Sequence, residues 1–282
     1  MRSPALAALA ALALAACQPP GPPSPRATVV GAAAVTLDTR IATVRVGESA
    51  MGDFMADALA GAVRSMGFDV PLALINAGAI RGGDIAPGAV PVTIDAKLGR
   101  LYPPGALTDV DVAGWFPFRD DTVVLTVTGA ALKSALERGA AQLPPDLRAD
   151  GGGPLLDVSG GRYTIDCSGD TQRIDVAKLT IMRQGTRITR LEVGGALIYD
   201  RDAGVDLLAD TRVQLAVNDF VGDGLDGHVA FAATAEDARL PFDQLDFRDV
   251  LVAAVAASSP IAPATDSRIT ILGDCGQPLT LP

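Results

Sequence analysis

Val70-Pro71-Leu72-Ala73-Leu74-Ile75 runs directly into Asn76-Ala77-Gly78-Ala79-Ile80-Arg81. A short apolar run bounded by turn residues reads as a buried strand, and this one ends in an amide, a glycine turn and a guanidinium. Polar groups delivered to the rim of a sheet are where an α/β protein binds its ligands. The arginine fork suits a carboxylate or phosphate, and an asparagine side chain both donates and accepts. The competing reading of the hexapeptide is a strand-ending turn with a left-handed Asn and a surface Arg.

The flanking chain supplies alternating elements. Residues 29–46 alternate enough for one or two strands. Ser49 is an N-cap for a helix in which Met51, Met55, Leu59, Ala62 and Met66 share a core face and Gly67 caps the end. Residues 84–105, rich in Gly and Pro, read as a surface excursion. A β-branched strand over 122–127 leads through Thr128-Gly129 into a helix whose apolar face is Leu132, Ala135, Leu136 and Leu143. Residues 144–161 read as loop, 162–166 as a strand, and 178–183 and 187–193 as a hairpin turning at Gln184-Gly185. An apolar strand over 212–217 empties into Asn218-Asp219-Phe220-Val221-Gly222-Asp223-Gly224-Leu225-Asp226-Gly227-His228. A helix over 246–258 and a strand over 268–272 close an α/β (α+β) fold, a mixed sheet with packed helices.

Composition excludes several functions. The net charge is −10 and no run of Lys or Arg occurs, so a nucleic-acid backbone is not an expected partner. A small anionic ligand stays open, because a local arginine sets the field in a cleft. Residues 1–16 carry Arg2, a small apolar run too short to span a bilayer, and the ending Leu14-Ala15-Ala16-Cys17. That ending resembles the lipobox of bacterial lipoproteins and implies an exported chain, periplasmic or at the cell envelope, held to the membrane by lipid on Cys17. Residues 17–26 hold five prolines and read as a stiff tether. Residues 27–272 form the domain and 273–282 a tail. Cys167 and Cys275 are then left to form one disulfide or to stay as two buried thiols.

Several loop ends carry binding chemistry. Phe118, in Trp115-Phe116-Pro117-Phe118-Arg119, and Phe220 offer stacking faces for a planar base. Asp226 can accept two hydrogen bonds from a ribose diol, and Asn76 can read a base or sugar edge. Taken singly, the phenylalanines read better as core aromatics at strand ends, and Asp226 as a turn residue or calcium ligand; as a set at loop ends they are more specific.

Taken in order, GESAMGDFMADAL (47–59), ALINAGAIRGGDI (73–85), WFPFRDDTVVLTVTGAALKSALE (115–137), VNDFVGDGLDGH (217–228) and DVLVAAVAASSPIAPATDSRIT (249–270) resemble the C-terminal, substrate-recognition domain of bacterial 5'-nucleotidases and UDP-sugar hydrolases. The resemblance implies that Asn76 and Arg81 touch substrate, that Phe118 and Phe220 sandwich the base, and that Asp226 holds the ribose. It also brings departures. The substrate arginine expected before the helix start aligns with Gly47, with Arg45 two residues earlier. Asp53 replaces an Asn, Arg119 a Gly, and Leu225 falls where a glycine is usual.

In that family a separate N-terminal domain holds two metals with several His, Asp and Asn residues, the arrangement that activates water for phosphate cleavage. This sequence has one histidine, His228, and no GxSxG elbow. No cofactor is expected on this chain, and divalent metals are expected only in a separately encoded metallophosphatase partner. The expectation is a nucleotide or nucleoside recognition domain acting in nucleotide catabolism. The alternatives are a stand-alone binding lipoprotein, or an envelope protein whose pocket has degenerated.

Overall fold

The structure is a computed structural model that describes residues 27–82, 98–149, 151–234, 239–240 and 245–279. The expected leader, lipobox cysteine and proline tether, and most of the expected 84–105 excursion, lie outside the described residues. None of the described helices is long and apolar enough to cross a membrane.

Two five-stranded sheets carry the fold. The central one runs Arg239–Leu240, Thr122–Thr128, Arg212–Asn218, Leu72–Asn76, Leu156–Ser159. Only Arg212–Asn218 and Leu72–Asn76 are parallel, with Leu215 opposite Leu72 and Ala216 opposite Ala73; the other pairs are antiparallel. The sheet is therefore mixed, as the sequence pattern implied.

All five residues of Leu72–Asn76 are buried, because both faces of this strand are covered. Alternate side chains point to opposite faces of a strand. Ala73 and Ile75 join Met51, Met55 and Leu59 of the Ala50–Ser65 helix and Phe247 and Leu251 of the Phe247–Ser258 helix in one core. Leu72 and Leu74 join a second core, with Leu132, Ala135 and Leu136 of the Gly129–Ala140 helix and the inner face of the second sheet. That sheet runs Val205–Asp206, Ala196–Asp200, Ile188–Val193, Gly161–Asp166, Ile269–Leu272.

Helix starts follow their caps. Ser49 Oγ accepts from the Gly52 amide at 3.0 Å and Thr128 Oγ1 from the Ala131 amide at 3.0 Å. Thr108 and Asp111 form a capping box that starts Asp109–Trp115, a helix the sequence pattern left unassigned.

Four expectations are corrected. Met66 is 47% exposed, since the Ala50–Ser65 helix has already ended and Gly67, at φ 92°, turns the chain away. The stretch over 29–46 is strand only at Val29–Ala33 and Leu37–Asp38; Ile41–Val44 is a helical turn. Residues 144–161 contain the edge strand Leu156–Ser159, whose glycine-rich approach hides it in the composition. The hairpin at Gln184-Gly185 does not form. Thr180–Arg183 pairs instead with Arg173–Asp175, and Ile188–Val193 pairs with Gly161–Asp166 and Ala196–Asp200. The reason is Glu137, which is 1% exposed and accepts the Arg187 and Ile188 amides, each at 3.0 Å, so the chain is pinned to the Gly129–Ala140 helix. The hairpin turn belongs to Gly194-Gly195, at φ 58° and 80°, where two successive positive φ values favour glycine.

The Cys167 and Cys275 sulfurs form a disulfide across 108 residues of sequence, with Cα atoms 5.1 Å apart. It ties the region after Ile269–Leu272 to the end of Gly161–Asp166.

Candidate functional site

Strand directions decide what meets at the sheet edge. Asn76 and Asn218 end the two parallel strands. Thr122 begins its strand opposite Asn218, and Leu156 begins its strand opposite Asn76. The loops before Thr122, before Leu156, after Asn76 and after Asn218 therefore emerge together.

They enclose a cavity of about 190 Å3 lined by Asn76, Arg81, Phe118, Phe220 and Asp226, the five residues selected from the sequence, together with Arg45, Asp120 and glycines. A larger groove of about 900 Å3 lies between the Ala50–Ser65 and Phe247–Ser258 helices. Its walls are mostly alanine and other small side chains, and among the described residues it presents no arginine or lysine.

Asn76 is 2% exposed and has extended backbone, φ −81°, which rules out the left-handed turn. Its Nδ2 donates to Asp226 Oδ2 at 2.9 Å, while its buried Oδ1 has no protein partner. A buried acceptor without a donor is costly unless a ligand or water supplies one. Gly78 lies beneath this pair: a Cβ there would stand 3.1 Å from both Asn76 Nδ2 and Asp226 Oδ2 and 3.0 Å from Gly153 Cα. A side chain at Gly78 would make these neighbours give by a few tenths of an ångström.

Asp226 sits at φ 55°, a left-handed conformation that aspartate tolerates better than most residues. Its carbonyl accepts from Arg138 Nε at 2.8 Å, so a half-buried arginine on the Gly129–Ala140 helix fixes the turn. Burial lowers the Arg138 pKa, and the Asp226 charge opposes that shift. Nothing in the sequence pattern pointed to Arg138, because its role depends on a contact spanning 88 residues.

The aromatic rings are half-buried, one in each core: Phe118 packs against the first and Phe220 against the second. Phe118 stands edge-on to Phe116 at 5.8 Å, and the Arg81 guanidinium carbon lies 5.5 Å from its ring centroid. Asp120 Oδ2 accepts from Asn218 Nδ2 at 2.8 Å. Burial pushes the Asp120 carboxyl up to about 6; the Asn218 bond opposes this, and Asp219, Asp246 and Asp121 add to it.

His228 is fully buried, stacked on Phe231 at 6.2 Å, and does not line the cavity. Burial depresses its imidazole to about 3, helped by the Arg138 charge, so it is neutral at ordinary pH.

A model of the 5'-nucleotidase C-terminal domain matches residues 29–234. The chain belongs to that family. The trifunctional nucleotide phosphoesterase protein YfkN of Bacillus subtilis is 26% identical over 241 residues, covering 85% of this chain and 14% of its own length. The 5'-nucleotidase precursor of Thermus thermophilus superposes with a TM-score of 0.65 at 24% identity, over 88% of this chain and 40% of that one. The NAD nucleotidase of Haemophilus influenzae superposes with a TM-score of 0.58 at 18% identity, over 86% and 38%. At such identities the solved structures establish the fold, and this 5'-nucleotidase C-terminal domain spans less than half the length of each of the three proteins.

The departures from the family pattern leave the cavity open. Gly47 does not line it, but Arg45 does, buried and donating through Nη1 to Gly151 O at 3.2 Å. An arginine thus enters from the expected segment two residues earlier; sequence spacing alone left its reach unknown. Leu225 needs no positive φ: Gly224 at 86°, Asp226 at 55° and Gly227 at 85° take the left-handed positions, and Leu225 is 48% exposed. Arg119 turns outward to Asp246, 3.3 Å away.

Asp53 lies in a separate acidic cluster. Its carboxylate oxygens come within 4.8 Å of those of Glu48 and Asp266, a grouping that no spacing in the sequence had suggested. Arg268 Nε already neutralises part of it, 2.7 Å from Asp266 and 3.8 Å from Asp53. Asp226 does not belong to this cluster, nor to any other group of three or more His, Cys, Asp or Glu ligands among the described residues.

Proposed function

We propose that this chain is an exported nucleotide-recognition domain, lipid-anchored through Cys17, that supplies base and ribose contacts to a metallophosphatase on a separate polypeptide. Phe118 and Phe220 stack the base. Asn76 and Asp226 accept the ribose hydroxyls, and Arg81 with Arg45 faces the anionic end. The observation that supports this most strongly is the convergence of five residues from three separated loops on one cavity of about 190 Å3. A second support is chemical: Asn76 Oδ1 is a buried acceptor without a donor, beside an aspartate whose Oδ2 is engaged and whose Oδ1 has no protein donor among the described residues. Asn76 Oδ1 and the Asp226 carboxylate offer a vicinal diol two acceptors.

Hydrolysis is assigned to the partner. The one histidine of the sequence is buried and neutral, so a two-metal centre held by several histidines draws on groups that the described residues do not present.

The test is calorimetric titration of the purified chain with adenosine, AMP and UDP-glucose, with and without divalent metal, repeated on Phe220→Ala. Expected is metal-independent binding that weakens about 5- to 150-fold in the variant, the loss of one stacked base. No heat with any of the three or with guanosine, from protein shown to be folded, removes this reading. Co-purification of a phosphatase separates a partnered domain from a stand-alone binding lipoprotein.

A further inference from the structure

We propose that Asp120 reads the hydrogen-bonding edge of the base and selects one that presents two adjacent N–H groups, as guanine does. This rests on the nucleotide-binding reading above and deepens it by naming the base.

The placement of the carboxyl carries the argument. Asp120 follows Phe118 by two residues, and Asn218 precedes Phe220 by two. The Asn218 Nδ2 to Asp120 Oδ2 bond, 2.8 Å long, therefore ties together the two segments that present the rings. Asp120 lines the same cavity as both rings, so a base held between them brings an edge toward this carboxyl. Asn218 is 1% exposed and has no freedom to move away. Asp120 Oδ1 has no protein donor among the described residues, and Oδ2 keeps a second lone pair.

The surroundings favour donors. Asp121, Asp219 and Asp246 all act on Asp120 with negative charge, and Arg119 is engaged with Asp246 on the outside. A pinned carboxylate accepts two parallel hydrogen bonds, the geometry in which it receives a guanidinium. Guanine offers N1–H and its 2-amino group side by side. Hypoxanthine lacks the amino group. Adenine sets its amino group beside an acceptor nitrogen, and cytosine does the same, so one contact of the pair becomes repulsive.

The experiment is calorimetry on the purified full-length chain with guanosine, inosine, adenosine and cytidine, for wild type and Asp120→Asn. Neutral nucleosides keep phosphate out of the comparison, and the asparagine still offers an oxygen to Asn218. Guanosine is expected to bind at least tenfold more tightly than inosine, the worth of one hydrogen bond to a charged acceptor. In the variant, guanosine and inosine should come within about twofold of each other while stacking affinity persists. Equal affinities in wild type, or a guanosine preference that survives the substitution, overturns the role of Asp120 and leaves nucleoside recognition standing. No heat with any nucleoside overturns the recognition reading and this inference with it.

Discussion

Asn76 and Asp226 lie 150 residues apart in sequence and are joined by one hydrogen bond, Nδ2 to Oδ2 at 2.9 Å. The bond uses one N–H of Asn76 and one oxygen of Asp226, and it leaves Asn76 Oδ1 buried without a protein donor. Replacing Asp226 with Ala should weaken guanosine binding by about ten- to a hundredfold, as loss of a charged acceptor does. 2',3'-Dideoxyguanosine should bind wild type and variant alike. A variant that weakens both nucleosides equally would show that the aspartate shapes the loop and does not hold the ribose.

Gly78→Ala should disturb the same pair from below. The added Cβ meets Gly153 Cα at 3.0 Å and both polar partners at 3.1 Å, so either the backbone or the hydrogen bond gives way. A loss of about 1–3 kcal/mol in stability is expected, together with loss of nucleoside binding. Gly153→Ala is the control, because its Cβ would meet Gly78 Cα at 3.4 Å and Asp226 Oδ2 at 3.5 Å, ordinary contact distances. Chemical denaturation of the two variants side by side separates these outcomes.

The Asp53 and Asp157 carboxyls predict a pH dependence of stability. Burial pushes Asp53 up to about 9, reinforced by the Asp157 charge, and burial pushes Asp157 up to about 8. The folded protein therefore keeps protons that the unfolded chain releases near 3.8. Stability from these groups is complete below that pH and is lost as pH rises through the folded values. Between pH 6 and 9, where ordinary carboxylates are all ionised, the melting temperature should fall with pH. Asp53→Asn should flatten the slope and raise the melting temperature at pH 8, by about 2–4 °C for each kcal/mol regained. A slope unchanged in the variant contradicts the assignment.

Reducing the Cys167–Cys275 disulfide should lower the melting temperature. It closes a segment of 108 residues, and losing a native bridge of this kind costs about 2–5 kcal/mol. The backbone bonds from Leu147 N to Leu279 O at 2.8 Å and from Leu279 N to Pro145 O at 3.0 Å remain to hold the tail. Calorimetric scans with and without dithiothreitol measure the difference; identical midpoints would mean the bridge adds no stability.

Much of this was legible residue by residue. The Leu72–Asn76 strand announces itself as a short apolar run, and the Ala50–Ser65 and Gly129–Ala140 helices by the hydroxyls of Ser49 and Thr128. Asn76, Arg81, Phe118, Phe220 and Asp226 stood out because polar or aromatic groups at strand ends have nowhere to go but a rim. The failures have physical causes as specific. Gln184-Gly185 looks like a hairpin turn in isolation, but buried Glu137 claims the next two amides. Leu156–Ser159 is a strand only because an existing edge at Leu72–Asn76 needs a partner.

Local periodicity, capping and turn chemistry thus determine the elements and the residues able to bind, since those preferences act over a few neighbouring positions. Tertiary structure alone decided that Arg45 reaches the cavity in place of Gly47 and that Arg138 braces the Asp226 turn. It also decided that Asp120 and Asn218 bridge the two aromatic loops. Those outcomes depend on which strand ends share an edge of the sheet, and that is set by long-range pairing.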